Sequence, residues 1–335
     1  MDRICLDQKF STTRLLFKEE SRINVNLNNN LPTKLFLCAG DRGKVEGGLI
    51  TKGYFKRGHK NQSDNCRISN ANMRLGSSEE LIVDWVDNEL PLITIITVVF
   101  NGEKFLEETI QSVIGQNYPN VEYIIIDGGS TDGTLDIILK YDHAINYWVS
   151  ENDSGIYDAM NKALFFASGE WVNFMNCGDQ FYGENTLDQI FIAKKYTGYD
   201  ILFGDHEVIY PSGRKRIARA GKIEKLGIGS QFSHQASFIK TNYHKSHLFS
   251  PHNKIVADFE FYYLAWKTKV RFKYVPEVIC SISAGGISDV RRVDSILGWW
   301  LVVDKNFLIN IFYIILLTKE IFKGFIKKHF CWMGI

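Results

Sequence analysis

The sequence lacks the marks of several protein classes, and each absence excludes something. Its six cysteines, Cys5, Cys38, Cys66, Cys177, Cys280 and Cys331, form no Cys-x-x-Cys pair. Spacing this scattered argues against a zinc cluster or a disulfide framework, and a reducing cytosol is the simplest compartment. Charge of one sign is missing too: 39 basic residues face 38 acidic ones, a net charge of +1. No global field draws nucleic acid to the chain, so none is expected as a partner. Residues 1–20 have no apolar core followed by small residues, and no signal peptide is expected. No stretch reaches the ~20 apolar residues that span a bilayer. The nearest, residues 307–317, is bounded by Lys305 and Lys319.

What is present suits a large fold. The chain has 335 residues, 45% of them hydrophobic, enough for one globular domain with appendages. Residues 1–88 are polar and irregular, with runs such as Asn28-Asn-Asn30, one candidate short strand at 35–39 and a Gly-rich loop at 47–53 that has no phosphate motif. They read as an extended arm packed on the main domain.

The pattern changes at Pro91. Residues 92–100 are almost all β-branched or apolar, which suits a strand buried on both faces. Leu106, Ile110, Val113 and Ile114 follow at helical spacing and Gly115 stops that helix. Residues 121–126 predict a second strand, 135–139 begin a second helix, and 146–149 form a third strand. Ile156, Met160, Ala163, Leu164 and Ala167 mark a third helix closed by Gly169, and 171–175 a fourth strand. Strand and helix alternate throughout, which predicts an open, mostly parallel α/β sheet with right-handed crossovers. Ligands of such sheets bind beyond the carboxyl ends of the strands.

Those ends are Thr97-Val-Val-Phe-Asn101, Asp127-Gly-Gly-Ser-Thr-Asp-Gly-Thr134, Ser150-Glu-Asn-Asp-Ser-Gly155 and Asn176-Cys-Gly-Asp179. Three of the four carry carboxylates that should converge on one edge. Clustered carboxylates repel, so a cation or the donor groups of a sugar or base should offset the cost. Helix capping is the plainer role for Asp132 and Asp153, and both readings stay open. Gly128, Gly129 and Gly133 permit close ligand approach, but the loop is not Gly-x-Gly-x-x-Gly and no Gly-Lys-Ser/Thr follows. A dinucleotide site or ATP P-loop is therefore disfavoured.

Residues 95–102, 122–134 and 151–162 together resemble the family 2 glycosyltransferases of the GT-A fold, most closely bacterial enzymes of exopolysaccharide, capsule and lipopolysaccharide synthesis, including the colanic-acid type. The likeness is dense from about 91 to 179 and thins by about 286. It implies a Rossmann-like sheet flanked by helices, with the irregular N-terminal arm and a helical C-terminal tail as additions. The implied domain runs over 89–290, its donor half over 91–180, its acceptor half over 181–290, and the tail over 291–335.

The resemblance also implies roles. Asp127 would contact the uracil or ribose of a nucleoside diphosphate sugar, a UDP-sugar being favoured. Thr97, Val99 and Asn101 would line the base pocket, and Asp153 would lie near the ribose or sugar. Gly128, Ser130, Asp132 and Asn176 complete the donor-binding candidates. Asp179 would stand at the last position of a metal-binding Asp-x-Asp holding Mg2+ or Mn2+ on the diphosphate. Here the sequence departs from the family, because Cys177 occupies the first acidic position.

In the acceptor half, residues 200–205 read as a strand with an acidic end. His234 and Gln235 resemble the family's His-Gln pair before the acceptor site. Asp258 matches the family's catalytic base, although it also suits a helix N-cap; Glu260 lies two residues on, roughly on the opposite helix face. An inverting transferase needs one carboxylate to take the acceptor hydroxyl proton. The loop 283–288 reads either as a lid over the donor or as a plain linker. The tail resembles a basic amphipathic segment at a membrane surface, or else a helix packed on the core. A glycan or lipid-linked acceptor would place the enzyme in the cytoplasm, against the inner face of the membrane. The rival readings are a nucleotidyltransferase on a similar sheet, for which residues 100–104 are a poor loop, and a non-catalytic nucleotide- or glycan-binding module.

Overall fold

The computed structural model describes residues 3–18, 45–56, 74–75, 81–82 and 90–332. The candidate strand at 35–39 lies outside the described residues. The early strands are β1 (Phe17–Lys18), β2 (Val45–Gly47), β3 (Tyr54–Phe55), β4 (Arg74–Leu75) and β5 (Leu81–Ile82). The α/β unit follows as β6 (Ile93–Val99), α1 (Leu106–Ile114), β7 (Val121–Asp127), α2 (Thr134–Lys140), β8 (Tyr147–Ser150), α3 (Ile156–Phe166) and β9 (Trp171–Phe174). Then come β10 (Gln180–Phe181), α4 (Thr186–Phe191), β11 (Ile201–Ile209), β12 (Lys215–Ala218), β13 (Ser237–Lys240), α5 (Thr241–Ser246), α6 (Ala257–Lys267) and β14 (Phe272–Ser283). The chain closes with α7 (Ile287–Val290), α8 (Arg292–Val302) and α9 (Phe307–Trp332).

One sheet carries the molecule, in the order β10-β14-β11-β13-β9-β6-β7-β8-β2, with β12 hairpinned onto β11. The central strands β9, β6, β7 and β8 are parallel, and β13 runs antiparallel between β9 and β11. Every residue of β6 and β7 is buried, so each strand serves two cores. Alternation divides them. Ile93, Ile95, Tyr123 and Ile125 face α1, α2 and α4, whereas Ile96, Val98, Ile124 and Ile126 face α3 and α6. Helix α6 has a second apolar face, where Phe259 and Tyr263 meet Ile296 of α8 and Tyr313 of α9.

Several expectations need correction. Gly169 does not cap α3, which ends at Phe166; it lets the chain pass β6, where a Cβ would stand 2.6 Å from Thr94 Oγ1 and 2.7 Å from the Leu92 carbonyl. Residues 200–205 are not a strand with an acidic end, because β11 continues to Ile209. Asp205 is buried within it and accepts hydrogen bonds from Tyr274 Oη and Ala220 N, each at 2.9 Å. Residues 307–317 are only the first part of a 26-residue helix. Asn310, the polar break in that run, accepts from Trp300 Nε1 at 2.9 Å. Among the described residues no helix is long and apolar enough to cross a membrane.

Residues 3–18 and 45–56 of the N-terminal arm are docked on the main domain. Strand β2 pairs antiparallel with β8 and forms that edge of the sheet. Ser11 Oγ donates to the Val113 carbonyl at 3.0 Å and Thr12 Oγ1 to the Ala144 carbonyl at 2.6 Å. Lys56 is buried, its Nζ donating to the carbonyls of Ser11, Arg14 and Pro119. Burial holds that amine well below its ordinary pKa.

Candidate active site

The loops after β6, β7, β8 and β9 meet at the carboxyl edge of the sheet and are stitched to one another. Asn101, in left-handed backbone at φ 51°, donates its N–H to Ser130 Oγ at 2.7 Å, and its Oδ1 accepts from Thr131 N at 2.9 Å. Gly102 N donates to Thr134 Oγ1 at 2.9 Å and Glu103 N to Asp132 Oδ2 at 3.1 Å. The second and third loops touch where glycine removes a side chain. A Cβ on Gly128 would lie 2.6 Å from Asp153 Oδ2, and one on Gly129 (φ 81°) would lie 2.3 Å from Asn152 Oδ1. The first and fourth loops touch likewise, since a Cβ on Gly102 would lie 2.6 Å from Cys177 Sγ.

Within this frame the predicted donor residues separate into two groups. Asn101, Ser130, Asp132 and Asp153 retain exposed surface on the loops. Thr97 does not line a pocket: it is wholly buried, and its hydroxyl donates to the Met175 carbonyl at 2.6 Å beside Tyr123 Oη at 2.9 Å. Val99 and Asn176 are buried as well. Asp127 is fully enclosed, its carboxylate accepting from Ser130 N at 3.1 Å and from Ser150 Oγ at 2.5 Å. Neither Asp132 nor Asp153 is a helix N-cap, since Gly133 and Gly155 hold those positions; each accepts from the backbone two residues on, Thr134 N at 3.1 Å and Gly155 N at 2.8 Å. Burial raises the Asp153 pKa above the ordinary carboxylate value, with Lys162 opposing.

Asp258 lies in the first turn of α6, and it is not the N-cap; that position is Val256, whose N–H donates to Asn253 Oδ1 at 3.1 Å. The Asp258 carboxylate is therefore free of capping and receives two side chains. His234 Nδ1 stands 3.0 Å from Oδ2, and Tyr157 Oη stands 2.9 Å from Oδ1. Burial alone would raise its pKa. The His234 imidazole outweighs it, by hydrogen bond and charge, with smaller help from Phe259 N–H and Tyr157, and holds Asp258 below the ordinary range. Glu260 turns to the preceding loop, where its Oε2 accepts from Asn253 Nδ2 at 3.0 Å.

The neighbouring residue Gln235 reaches the other way. Its Nε2 donates to Asp179 Oδ2 at 2.7 Å. Asn176 Nδ2 lies 3.0 Å from His234 Nε2. A short turn ahead of β13 thus joins the carboxylate after β9 to the carboxylate on α6. Residues 94–255 match the family model described as glycosyl transferase family 2. The chain carries a family 2 glycosyltransferase domain.

It is a glycosyltransferase. It is 28% identical over 228 residues to a Mycobacterium bovis protein described as a PGL/p-HBAD biosynthesis glycosyltransferase, covering 65% of this chain and 83% of that one. It is 35% identical over 127 residues to the putative teichuronic acid biosynthesis glycosyltransferase TuaG of Bacillus subtilis, covering 35% of this chain and 50% of that one. Its fold is shared with the crystal structure of S. aureus TarS 1-349 in complex with UDP-GlcNAc, at TM-score 0.52 and 20% identity over 63% of this chain and 65% of that one. The likeness confirms the α/β architecture of the GT-A class expected from the sequence.

The glycosyltransferase offers a metal little of its own. No group of three or more histidine, cysteine or acidic side chains suits a metal among the described residues. Burial pushes Asp179 up to about 6, against Gln235, His234 and the Ser283 N–H. Burial, then the charges of Asp179 and Asp132, push the Cys177 thiol up to about 12, so it is not a thiolate ligand near neutral pH. A self-sufficient protein metal site does not fit these residues. A cation carried on a diphosphate would find Asp179 as its protein carboxylate.

Two residues of the site were not singled out by sequence reasoning, though both lie in the matched stretch 151–162. Tyr157 carries the second contact to Asp258. Lys162 is buried, with Nζ 3.3 Å from the Asn152 carbonyl, 3.2 Å from Glu151 Oε1 and 3.3 Å from Asp158 Oδ2, and it holds the third loop in place. A lysine closing an acidic loop in a sequence this short was the available signal.

Proposed function

We propose that this glycosyltransferase transfers a sugar with inversion from a nucleoside diphosphate sugar, a UDP-sugar being favoured, to a glycan acceptor of the cell surface carried on a lipid. The observation that carries the mechanism is the Asp258 carboxylate, kept ionised by His234 and steadied by Tyr157. Asp258 takes the proton of the acceptor hydroxyl as that oxygen forms a bond to the anomeric carbon. The bond from that carbon to the diphosphate breaks on the opposite face, and the diphosphate leaves with the electron pair. The linked loops around Asn101, Ser130 and Asp153 would hold the nucleoside, and Asp179 would face the diphosphate. A divalent cation bound there would neutralise the leaving group's charge.

The relatives' names, which refer to PGL/p-HBAD and teichuronic acid biosynthesis, support a cell-surface glycan as acceptor. Helix α9 supports a membrane-borne one. Its inner face packs on α8 through Tyr313, while Phe307, Leu308, Ile314, Ile315, Phe322 and Phe325 are exposed along the outer face. Lys319 and Lys323 are interleaved with them and Glu320 is the helix's one acid. An exposed apolar stripe with basic flanks suits the headgroup boundary of an anionic membrane. The proposed domain spans 89–290, with the described arm and the tail as its appendages.

The test is turnover of a panel of UDP- and GDP-sugars, with and without Mn2+. Release of nucleoside diphosphate from at least one donor is expected. Neither binding nor release with any donor would sink the enzyme reading in favour of a non-catalytic module, for which the single carboxylate at the metal position speaks.

A further inference from the structure

Beside the acceptor half, on the face that carries α6, an open cleft of about 680 Å³ lies between β11, β14 and the segment after β12. Its walls are Phe203, Tyr274, Gly221, Ile223, Lys222 and Lys225, and Glu224 also lines it. Tyr274 is 41% exposed, yet its ring is fixed, because its hydroxyl donates to the buried Asp205 carboxylate at 2.9 Å. The same oxygen accepts from Ala220 N, so one buried acid sets both walls. Phe203 packs behind Tyr274, with ring centroids 5.7 Å apart. A rigid, half-exposed aromatic ring in an open cleft is a stacking platform with little conformational entropy to lose on binding.

The rim is basic. Residues 214–225 hold Arg214, Lys215, Arg216, Arg219, Lys222 and Lys225 against one acid, Glu224. Lys215 is engaged by Glu207 at 3.4 Å, and Arg214 lies over Tyr210. Glu277, near Tyr274, is engaged by Lys194 at 3.5 Å. Arg216, Arg219, Lys222 and Lys225 make no ion pair among the described residues and stand exposed. Charge on an edge strand discourages edge-to-edge pairing, which accounts for Lys215 and Arg216. It does not account for Lys222 and Lys225, which lie past the strand and line the cleft, or for Arg219, which precedes the lining residue Ala220 and acts by its charge on Tyr274.

The cleft is also connected to the proposed base. Phe203 stacks on Phe232 at 4.8 Å, Phe232 meets Tyr262 at 4.8 Å, and Tyr262 Oη lies 2.5 Å from Ser237 Oγ, which donates to the His234 carbonyl at 2.8 Å. We propose that the cleft is a distal subsite for an acceptor glycan bearing carboxylate or phosphate groups, with Tyr274 stacking on a sugar and Arg219, Lys222 and Lys225 pairing with its anions. This rests on the transferase reading, but the site can be tested without a donor.

The experiment measures binding of oligogalacturonate, of a glycerol-phosphate oligomer and of an uncharged malto-oligosaccharide to the full chain and to a Lys222→Glu/Lys225→Glu variant. At least one anionic probe is expected to bind, weakening in high salt, and the exposed double substitution is expected to weaken it by about tenfold or more. Loss of binding with an unchanged far-UV spectrum and unchanged affinity for the donor supports the subsite. Failure of both anionic probes to bind the wild-type chain overturns it, as does equal binding of the neutral probe or an unaffected double variant. Tighter binding of a DNA oligonucleotide than of either probe would overturn the glycan assignment. Because binding needs no donor, absence of donor turnover in the wild-type chain would strike the transferase reading alone.

Discussion

His234 Nδ1 lies 3.0 Å from Asp258 Oδ2, while the adjacent Gln235 holds Asp179 at 2.7 Å. One turn therefore orients the proposed base and the carboxylate that would face the diphosphate. Asn176 Nδ2 lies 3.0 Å from His234 Nε2, so both ring nitrogens are held and the imidazole is oriented on Asp258.

Replacing His234 should change a pH profile more than a structure. Asp258 is held below its ordinary pKa mainly by His234 against burial. In His234→Ala the burial remains and the opposing influence goes, so the carboxylate pKa rises. The acid limb of the kcat/KM profile should move to higher pH. An acid limb that stays in place would remove His234 from this role. Stability follows the same sign. A depressed carboxylate contributes stability that is present above its unfolded pKa and lost as pH falls through its folded pKa. The wild-type advantage in Tm over His234→Ala should shrink in acid.

Tyr157→Phe removes one contact to Asp258 and keeps the buried ring. A single hydrogen bond to a charged group contributes about 1.5–3 kcal/mol. The variant should fold, lose kcat by about tenfold or more, and leave donor KM nearly unchanged. A change confined to donor KM would contradict the assignment of Tyr157 to the base.

Gly129→Ala tests the contact between the second and third loops. The backbone is left-handed at φ 81°, and the new methyl would meet Asn152 Oδ1 at 2.3 Å. Donor affinity should fall by about tenfold or more, since a displaced loop misplaces the groups that hold the nucleoside. Undiminished donor binding in a calorimetric titration would mean that these loops do not form the donor site.

The alternation of strands and helices from residue 91 was legible because β6 and β7 are buried on both faces and α1 to α3 on one. The loops were legible because tight, glycine-bearing turns leave a fixed residue pattern. Thr97 was misjudged because a polar residue near a strand end can face inward and spend its hydrogen bonds on its own chain. Sequence distance hid the rest. Tyr157 and Asp258 are about a hundred positions apart, and no local pattern announces such a contact. Asp205 ended no strand because β11 continues past it into the hairpin with β12.

The tail can be tested apart from the chemistry. Co-sedimentation with vesicles containing phosphatidylglycerol should recover the full chain, and Phe322→Ser/Phe325→Ser should reduce recovery several-fold while donor turnover in solution is kept. Recovery equal to that with neutral vesicles, or unaffected by the two substitutions, would rule out α9 as an anionic-membrane contact.

The most direct test of the mechanism compares wild type with Asp258→Asn, measuring donor binding and sugar transfer side by side. The amide keeps the shape and removes the base. Donor affinity within about twofold of wild type and a transfer rate lower by about 10²–10⁴-fold are predicted. A variant that transfers sugar at the wild-type rate would contradict the account.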